Sequence, residues 1–165
     1  MRRSLGTVCG RIPSIRSRVA AVVTTKFDAA ARTDVDRNGL GVGVRPATDE
    51  DRLAVRRLLD AAVLAVENVD ERLGAGDVLV ATADGRVVGA AVLDPRPDGA
   101  HVEAIAVQCR RRGRGVGTAL IERARSEYGP LTAAFDADVR PFYESLGFAI
   151  EPMAGEQERF EGKLE

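Results

Sequence analysis

Tryptophan is absent from this 165-residue chain, histidine occurs once, and lysine and cysteine occur twice each. The single histidine, His101, excludes a histidine-based metal centre within one chain. Cys9 and Cys109 stand far apart and supply neither a metal set nor a disulfide framework; with no Cys/His/Asn pattern around it, Cys109 reads as a filler thiol. Lys26 and Lys163 are the only lysines, so arginine carries nearly all the positive charge and one arginine by itself says little. No apolar run approaches the ~20 residues that cross a bilayer, which argues against a membrane partner. Residues 42–165 hold 16 Lys and Arg against 22 Asp and Glu, and aromatics make up only 4% of the chain. An acidic body with few stacking rings argues against general nucleic-acid binding.

What is present suits a folded core: 45% of the residues are hydrophobic, enough at this length for one domain. Residues 1–41 are rich in arginine and serine without a strong period, and Asp34 to Gly43 has linker composition. We expect a disordered basic extension over 1–41 and a folded domain over 42–165. An organelle transit segment or an overlong start are the other readings of the extension.

Val42 and Val44 mark a first strand. Thr48 followed by Asp51 resembles a capping box, and Leu53, Val55, Leu58, Leu59, Ala62 and Val63 place an amphipathic helix to about Ala65. Asn68 to Leu73 is a short second helix; Glu67, Asp70 and Glu71 read first as a solvated face and second as a site for a cationic amine. Val78 to Ala83 and Val87 to Leu93 are strands around an Asp84–Gly85 turn, and Asp94 to Gly99 is a loop. On the fourth strand, His101 to Val107, period two puts His101, Glu103, Ile105 and Val107 on one face. A helix then runs to about Tyr128, before Gly129 and Pro130, and Leu131 to Phe135 is a fifth strand. Asp136 or Asp138 caps a short helix carrying Pro141; Phe148 to Pro152 and an edge strand at Arg159 to Leu164 follow.

Two stretches carry chemistry. Ile105 to Ile121 (IAVQCRRRGRGVGTALI) reads as the end of an apolar strand, a basic glycine-punctuated turn and a helix start. Val116, Ala119, Leu120 and Ala124 keep a helical period after the turn. Gly113, Gly115 and Gly117 let the main chain approach a ligand and adopt dihedrals closed to other residues. Free N–H groups at a helix start face an anion, and Arg110, Arg111, Arg112 and Arg114 add full charges. The turn is a phosphate cradle, and it lacks the Lys-Ser/Thr end of a nucleoside-triphosphate loop. In the second stretch, Pro141 to Phe148 (PFYESLGF), Phe142, Leu146 and Phe148 read as core and Gly147 as a helix stop. Tyr143 among them must place its hydroxyl against something polar; taken alone, it reads as a core tyrosine bonded to a main-chain carbonyl.

Together the two stretches resemble the GNAT superfamily of acyl-CoA-dependent N-acyltransferases. The Arg/Gln-x-x-Gly-x-Gly/Ala signature is met in two overlapping frames, Arg110 to Gly115 and Arg112 to Gly117, directly after Ile-Ala-Val. The aromatic-Tyr-Glu-x-x-Gly-Phe turn is met at Phe142 to Phe148, and the likeness spans roughly Val42 to Pro152. Two positions depart from it: Asp136 stands where many relatives have Asn, and Cys109 where proline is usual. The resemblance implies an α/β (α+β) GNAT fold. Its central mixed, mostly antiparallel sheet has six to seven strands, splays between strands four and five, and is flanked by about four helices.

The resemblance also implies acetyl-CoA as acyl donor, no metal, and direct attack by a primary amine in a ternary complex in the cytoplasm. The acceptor class covers small molecules, protein N-termini and lysines, and a homodimer is compatible with such folds. Main-chain groups of Ile105, Ala106, Val107 and Cys109 would contact the pantetheine arm and thioester. Arg112, Gly113, Arg114, Gly115, Val116 and Gly117, with Thr118 close by, would hold the pyrophosphate, and Phe142 would lie beside the cofactor. Tyr143 would give a proton to the departing thiolate. An amine of pKa near ~10.4 must lose a proton before attack, and Glu103 and His101 are the candidate bases. Two other readings stand beside this one: a CoA-binding module of the same fold without turnover, and an RNA-phosphate binder at Arg110 to Arg114.

Overall fold

The computed structural model describes residues 41–165, apart from positions 63, 65, 156 and 157. The expected extension therefore lies, except for Gly41, outside the described residues. Seven strands form one sheet: β1 (Gly43–Pro46), β2 (Val78–Ala83), β3 (Arg86–Arg96), β4 (Gly99–Val107), β5 (Leu131–Asp136), β6 (Ala149–Pro152) and β7 (Arg159–Leu164). The α-helices are α1 (Arg52–Ala61), α2 (Val69–Ala75), α3 (Val116–Tyr128) and α4 (Arg140–Ser145). The strand order is β1-β2-β3-β4-β5-β7-β6, antiparallel throughout except between β4 and β5. This is the mixed, mostly antiparallel sheet the sequence led us to expect. Among the described residues no helix is long and apolar enough to cross a membrane.

Local signals place most elements. Thr48 and Asp51 form a reciprocal capping box ahead of α1, in which the Asp51 carboxylate accepts from the Thr48 N–H at 2.8 Å. Asp51 is nearly inaccessible and also takes a two-pronged bond from Arg45, at 2.6 and 3.1 Å. Burial raises its carboxyl pKa, but the Arg45 and Thr48 bonds outweigh that and hold it below the usual carboxylate value. Helix α1 ends at Ala61, short of the expected Ala65, and Leu53 faces solvent rather than the core. Asp84 and Gly85 both take positive φ, the backbone of a two-residue hairpin turn.

Three expectations are corrected by pairing. β3 runs on to Arg96 through the stretch read as a loop, because Asp94, Pro95 and Arg96 pair only with β4. With β2 already ended on the other side, Pro95 loses no ladder bond by lacking an N–H. β7 lies between β5 and β6, so β6 is the edge strand. Gly162 permits this, since a Cβ there would sit 2.9 Å from the Phe135 ring and 3.0 Å from Phe148. The third correction concerns the faces of β4. Val92 pairs with Ala104 but Leu93 with Val102, so Glu103 is an extra residue, a β-bulge. The bulge reverses the alternation: Val102, Ile105 and Val107 pack with α3, whereas Ala104 and Ala106 pack with α1 and α2. Ile105 and Val107 are thereby moved off the face that strict period two gave them.

Candidate active site

The parallel β4–β5 ladder is short. It pairs Ala100 with Leu131, His101 with Thr132 and Val102 with Ala133, and goes no further. Beyond that point β4 continues against β3 as far as Val107, while β5 continues against β7 as far as Asp136. The two strands part, and Glu103 is the first residue past the last shared rung. The bulge supplies a physical cause, because an extra residue bends its strand and increases the local twist. Ile105, Ala106 and Val107 line the parted edge of β4 with side chains wholly inside the core. What they can offer a ligand is main chain.

The glycine turn begins where β4 ends. Gln108 is pinned to β3 by its N–H, 2.8 Å from the Val88 carbonyl, and by its side-chain amide, 3.0 Å from the Val87 carbonyl. Cys109 to Arg111 make one 3-10 turn, and Gly113 and Gly115 follow with φ of +65° and +80°. Gly115 occupies the N-cap of α3 and brings no side chain to bond its first N–H groups, which point out of the helix start. Arg114 is exposed, Arg111 is tied to Asp84 at 3.2 Å, and burial lowers the proton affinity of the Arg112 guanidinium. Val116 is buried in α3, and Thr118, two residues on, is half-buried. Cys109 opens the 3-10 turn directly after Gln108, and Cys9 lies outside the described residues.

Gly117 does something the sequence did not reveal. A Cβ at this position would lie 2.9 Å from two ring carbons of Phe142. The third glycine of the motif therefore seats α4 against α3. Through that contact the glycine turn reaches the aromatic cluster, since Phe142 packs edge-on against Tyr143 with centroids 5.1 Å apart.

Tyr143 has no solvent exposure. Its ring stacks on Phe135 at 4.1 Å and meets Phe148 edge-on at 5.1 Å. Its hydroxyl is buried with no hydrogen-bond partner among the described residues, so the main-chain bond expected of a core tyrosine is not made there. Burial raises the phenol well above its ordinary value, which keeps its proton in place across the physiological range. A buried hydroxyl left without an acceptor is the feature a ligand atom would satisfy.

Glu103 and His101 both belong to the α1/α2 side of the sheet. Glu103 is mostly buried, and Arg72 of α2 lies 3.8 Å from its Oε2. His101 places Nδ1 2.9 Å from Thr132 Oγ1, and burial followed by the charge of Arg96 lowers its pKa, leaving it neutral at pH 7. It lines a trough of about 660 Å³ with Arg96, Thr132, Met153, Glu161 and Lys163. A second cleft, of about 520 Å³, lies between α1 and α2 and includes Asp70 and Glu71, but Asp70 is already paired with Arg56 and Arg52. The structure thus joins the glycine turn, Phe142 and Tyr143 on one side of the strand opening and sets Glu103 and His101 on the other. Arg72 and Thr132 carried no signal in the sequence.

An Acetyltransferase (GNAT) domain model matches residues 74–150, a span that holds both glycine frames and the tyrosine turn. No curated protein matches the sequence significantly. Among solved structures, a GNAT-family protein from Desulfovibrio desulfuricans is 29% identical, with a TM-score of 0.61, over 75% of this chain and 98% of that one. The ribosomal-protein-alanine N-acetyltransferase of Brucella melitensis is 26% identical, with a TM-score of 0.56, over 73% of this chain and 98% of that one. The yncA protein of Salmonella typhimurium, solved with its cofactor acetyl-CoA, is 21% identical, with a TM-score of 0.57, over 76% of this chain and 94% of that one. With the motifs, the parted strands and these likenesses in agreement, residues 74–150 carry a GNAT acetyltransferase domain match and the described chain shares the fold of the GNAT structures.

Proposed function

We propose that this protein moves an acetyl group from acetyl-CoA to a primary amine by direct attack. The observation that carries the reading is the buried, unpartnered Tyr143 hydroxyl in a cluster that Phe142 ties to the glycine turn. Acetyl-CoA supplies a thioester whose carbonyl accepts the amine and whose sulfur leaves as a thiolate. The main chain from Arg112 to Gly117, with Thr118 beside it, binds the diphosphate, and the parted edge of β4 from Ile105 to Val107 orients the pantetheine arm. Cys109 stands at the junction of the two. Tyr143, kept protonated by burial, donates its hydrogen to the departing sulfur. Packing of Phe135, Phe142 and Phe148 around the phenol excludes water and strengthens that bond.

On the opposite face Glu103 accepts the proton of the incoming amine, and neutral His101 is the second group able to do so. The acceptor is a small amine or a protein N-terminus. The Brucella melitensis protein is by name a ribosomal-protein-alanine N-acetyltransferase, and the trough beside His101 is where an acceptor would enter.

Thiol release from acetyl-CoA over a panel of amines and short peptides tests the reading, with calorimetry of CoA binding alongside. Release by the wild type and a marked loss in Glu103→Gln are the expected results. Uptake of CoA without release for any acceptor would instead make the protein a CoA-binding module, and no uptake at all would end the proposal.

A further inference from the structure

On the α2 side of the strand opening, one guanidinium gathers three carboxylates. Arg72, in the last turn of α2, donates to Asp94 Oδ1 at 2.6 Å and lies 3.8 Å from Glu103 Oε2 and 3.9 Å from Asp77 Oδ2. Asp94 has a second partner in Arg96 at 3.0 Å, and Asp77 receives the Tyr128 hydroxyl at 3.3 Å. Glu103 Oε2 is buried and accepts no hydrogen bond, so the guanidinium at ion-pair distance is its nearest charged partner.

We propose that Arg72 is a positioning residue, which fixes the orientation of the Glu103 carboxylate at the point where β4 leaves β5. The inference rests on the N-acetyltransferase reading above. Three features support it. The bulge makes Glu103 an extra residue with no cross-strand partner to define its side-chain direction, so orientation must come from elsewhere. Arg72 is itself anchored by its short bond to Asp94 on the neighbouring strand, which gives it a fixed place from which to act. Its planar fork suits contact with more than one carboxylate at a time, which a lysine ammonium does less well.

Charge bookkeeping separates this role from a plain anchor for α2. Asp77, Asp94 and Glu103 face Arg72 and Arg96, a net charge of −1 in a partly buried niche, with neutral His101 across from Asp94. Taking Arg72 away makes the niche more negative, which favours a cationic amine near it. Loss of Arg72 should therefore slow turnover without weakening amine binding and with an unchanged stoichiometry of CoA binding, which separates a slower enzyme from a smaller folded fraction.

The experiment compares wild type, Arg72→Gln, Arg72→Lys, Glu103→Gln and the Arg72→Gln/Glu103→Gln double variant. Each is assayed for thiol release with acetyl-CoA and whichever panel amine the wild type uses fastest. We expect kcat to fall about tenfold in Arg72→Gln with the amine KM no higher, partial recovery in Arg72→Lys, and no further loss when Arg72→Gln is added to Glu103→Gln. Multiplying losses in the double variant, or an Arg72→Gln enzyme that is less heat-stable yet turns over normally, overturns the inference. Absence of wild-type turnover overturns the reading beneath it, and full activity in Glu103→Gln removes the residue that Arg72 would position.

Discussion

Replacing Tyr143 with phenylalanine should make the protein more stable and less active at once. The ring is wholly enclosed, stacked on Phe135 at 4.1 Å, and phenylalanine keeps every one of those contacts. Only the hydroxyl is removed, and among the described residues that group has no hydrogen-bond partner. A buried hydroxyl of this kind costs about 1–3 kcal/mol in protein mutational data. Its removal should raise the thermal midpoint by several degrees, since about 1 kcal/mol moves a domain of this size by roughly 3–5 °C. Catalysis should respond the other way, because a positioned acid contributes roughly 10²–10⁴ in rate. Differential scanning calorimetry without CoA and thiol-release kinetics on the same preparation provide both readings. A lower midpoint in Tyr143→Phe would mean the hydroxyl has an acceptor in the resting protein. Undiminished kcat would mean the leaving sulfur takes its proton from another source, and either result refutes the reasoning.

Other consequences are open to direct test. Gly117→Ala forces a methyl to 2.9 Å from the Phe142 ring, so urea unfolding should show a loss of about 1–3 kcal/mol, with weaker CoA binding by calorimetry; unchanged values would dissociate the glycine from helix packing. Asp51→Asn breaks the nearly buried pair with Arg45 and should cost about 3 kcal/mol. Since the folded-state pKa of Asp51 is depressed, its contribution is present above the ordinary value of ~3.9 and lost as pH falls through the folded value; acid unfolding of Asp51→Asn should lack that component. His101 is the only histidine, so one NMR titration reports it, with an expected midpoint below ~6.5. The unfolded chain binds that proton more readily, so stability rises with pH through the window and its contribution disappears as pH drops below the folded value. A midpoint above ~6.5 would contradict the burial and the Arg96 charge invoked for it.

Short-range chemistry accounts for what could be read along the chain. The left-handed turns at Gly113 and Gly115, the Thr48–Asp51 capping box, the Asp84–Gly85 hairpin and the stop of α3 at Gly129 each depend on a few neighbouring residues. The amino-acid order therefore determined the glycine turn and the aromatic turn, and the class of sheet was legible only through the family resemblance that those two turns carry. Tertiary packing decided the rest. The bulge at Glu103 exists only in register against Val92 and Leu93, and it alone reassigns Ile105 and Val107 to the α3 side. Gly162 looks like an edge-strand glycine until Phe135 and Phe148 are seen to occupy the space of its missing side chain, and Gly117 is read correctly only with Phe142 in place. Arg72 meets Asp94 and Glu103 because α2 folds back over two strands that follow it in the chain. Backbone dihedrals are set by adjacent residues, whereas cross-strand register, ring packing and charge partners are set by segments that only the folded chain brings together.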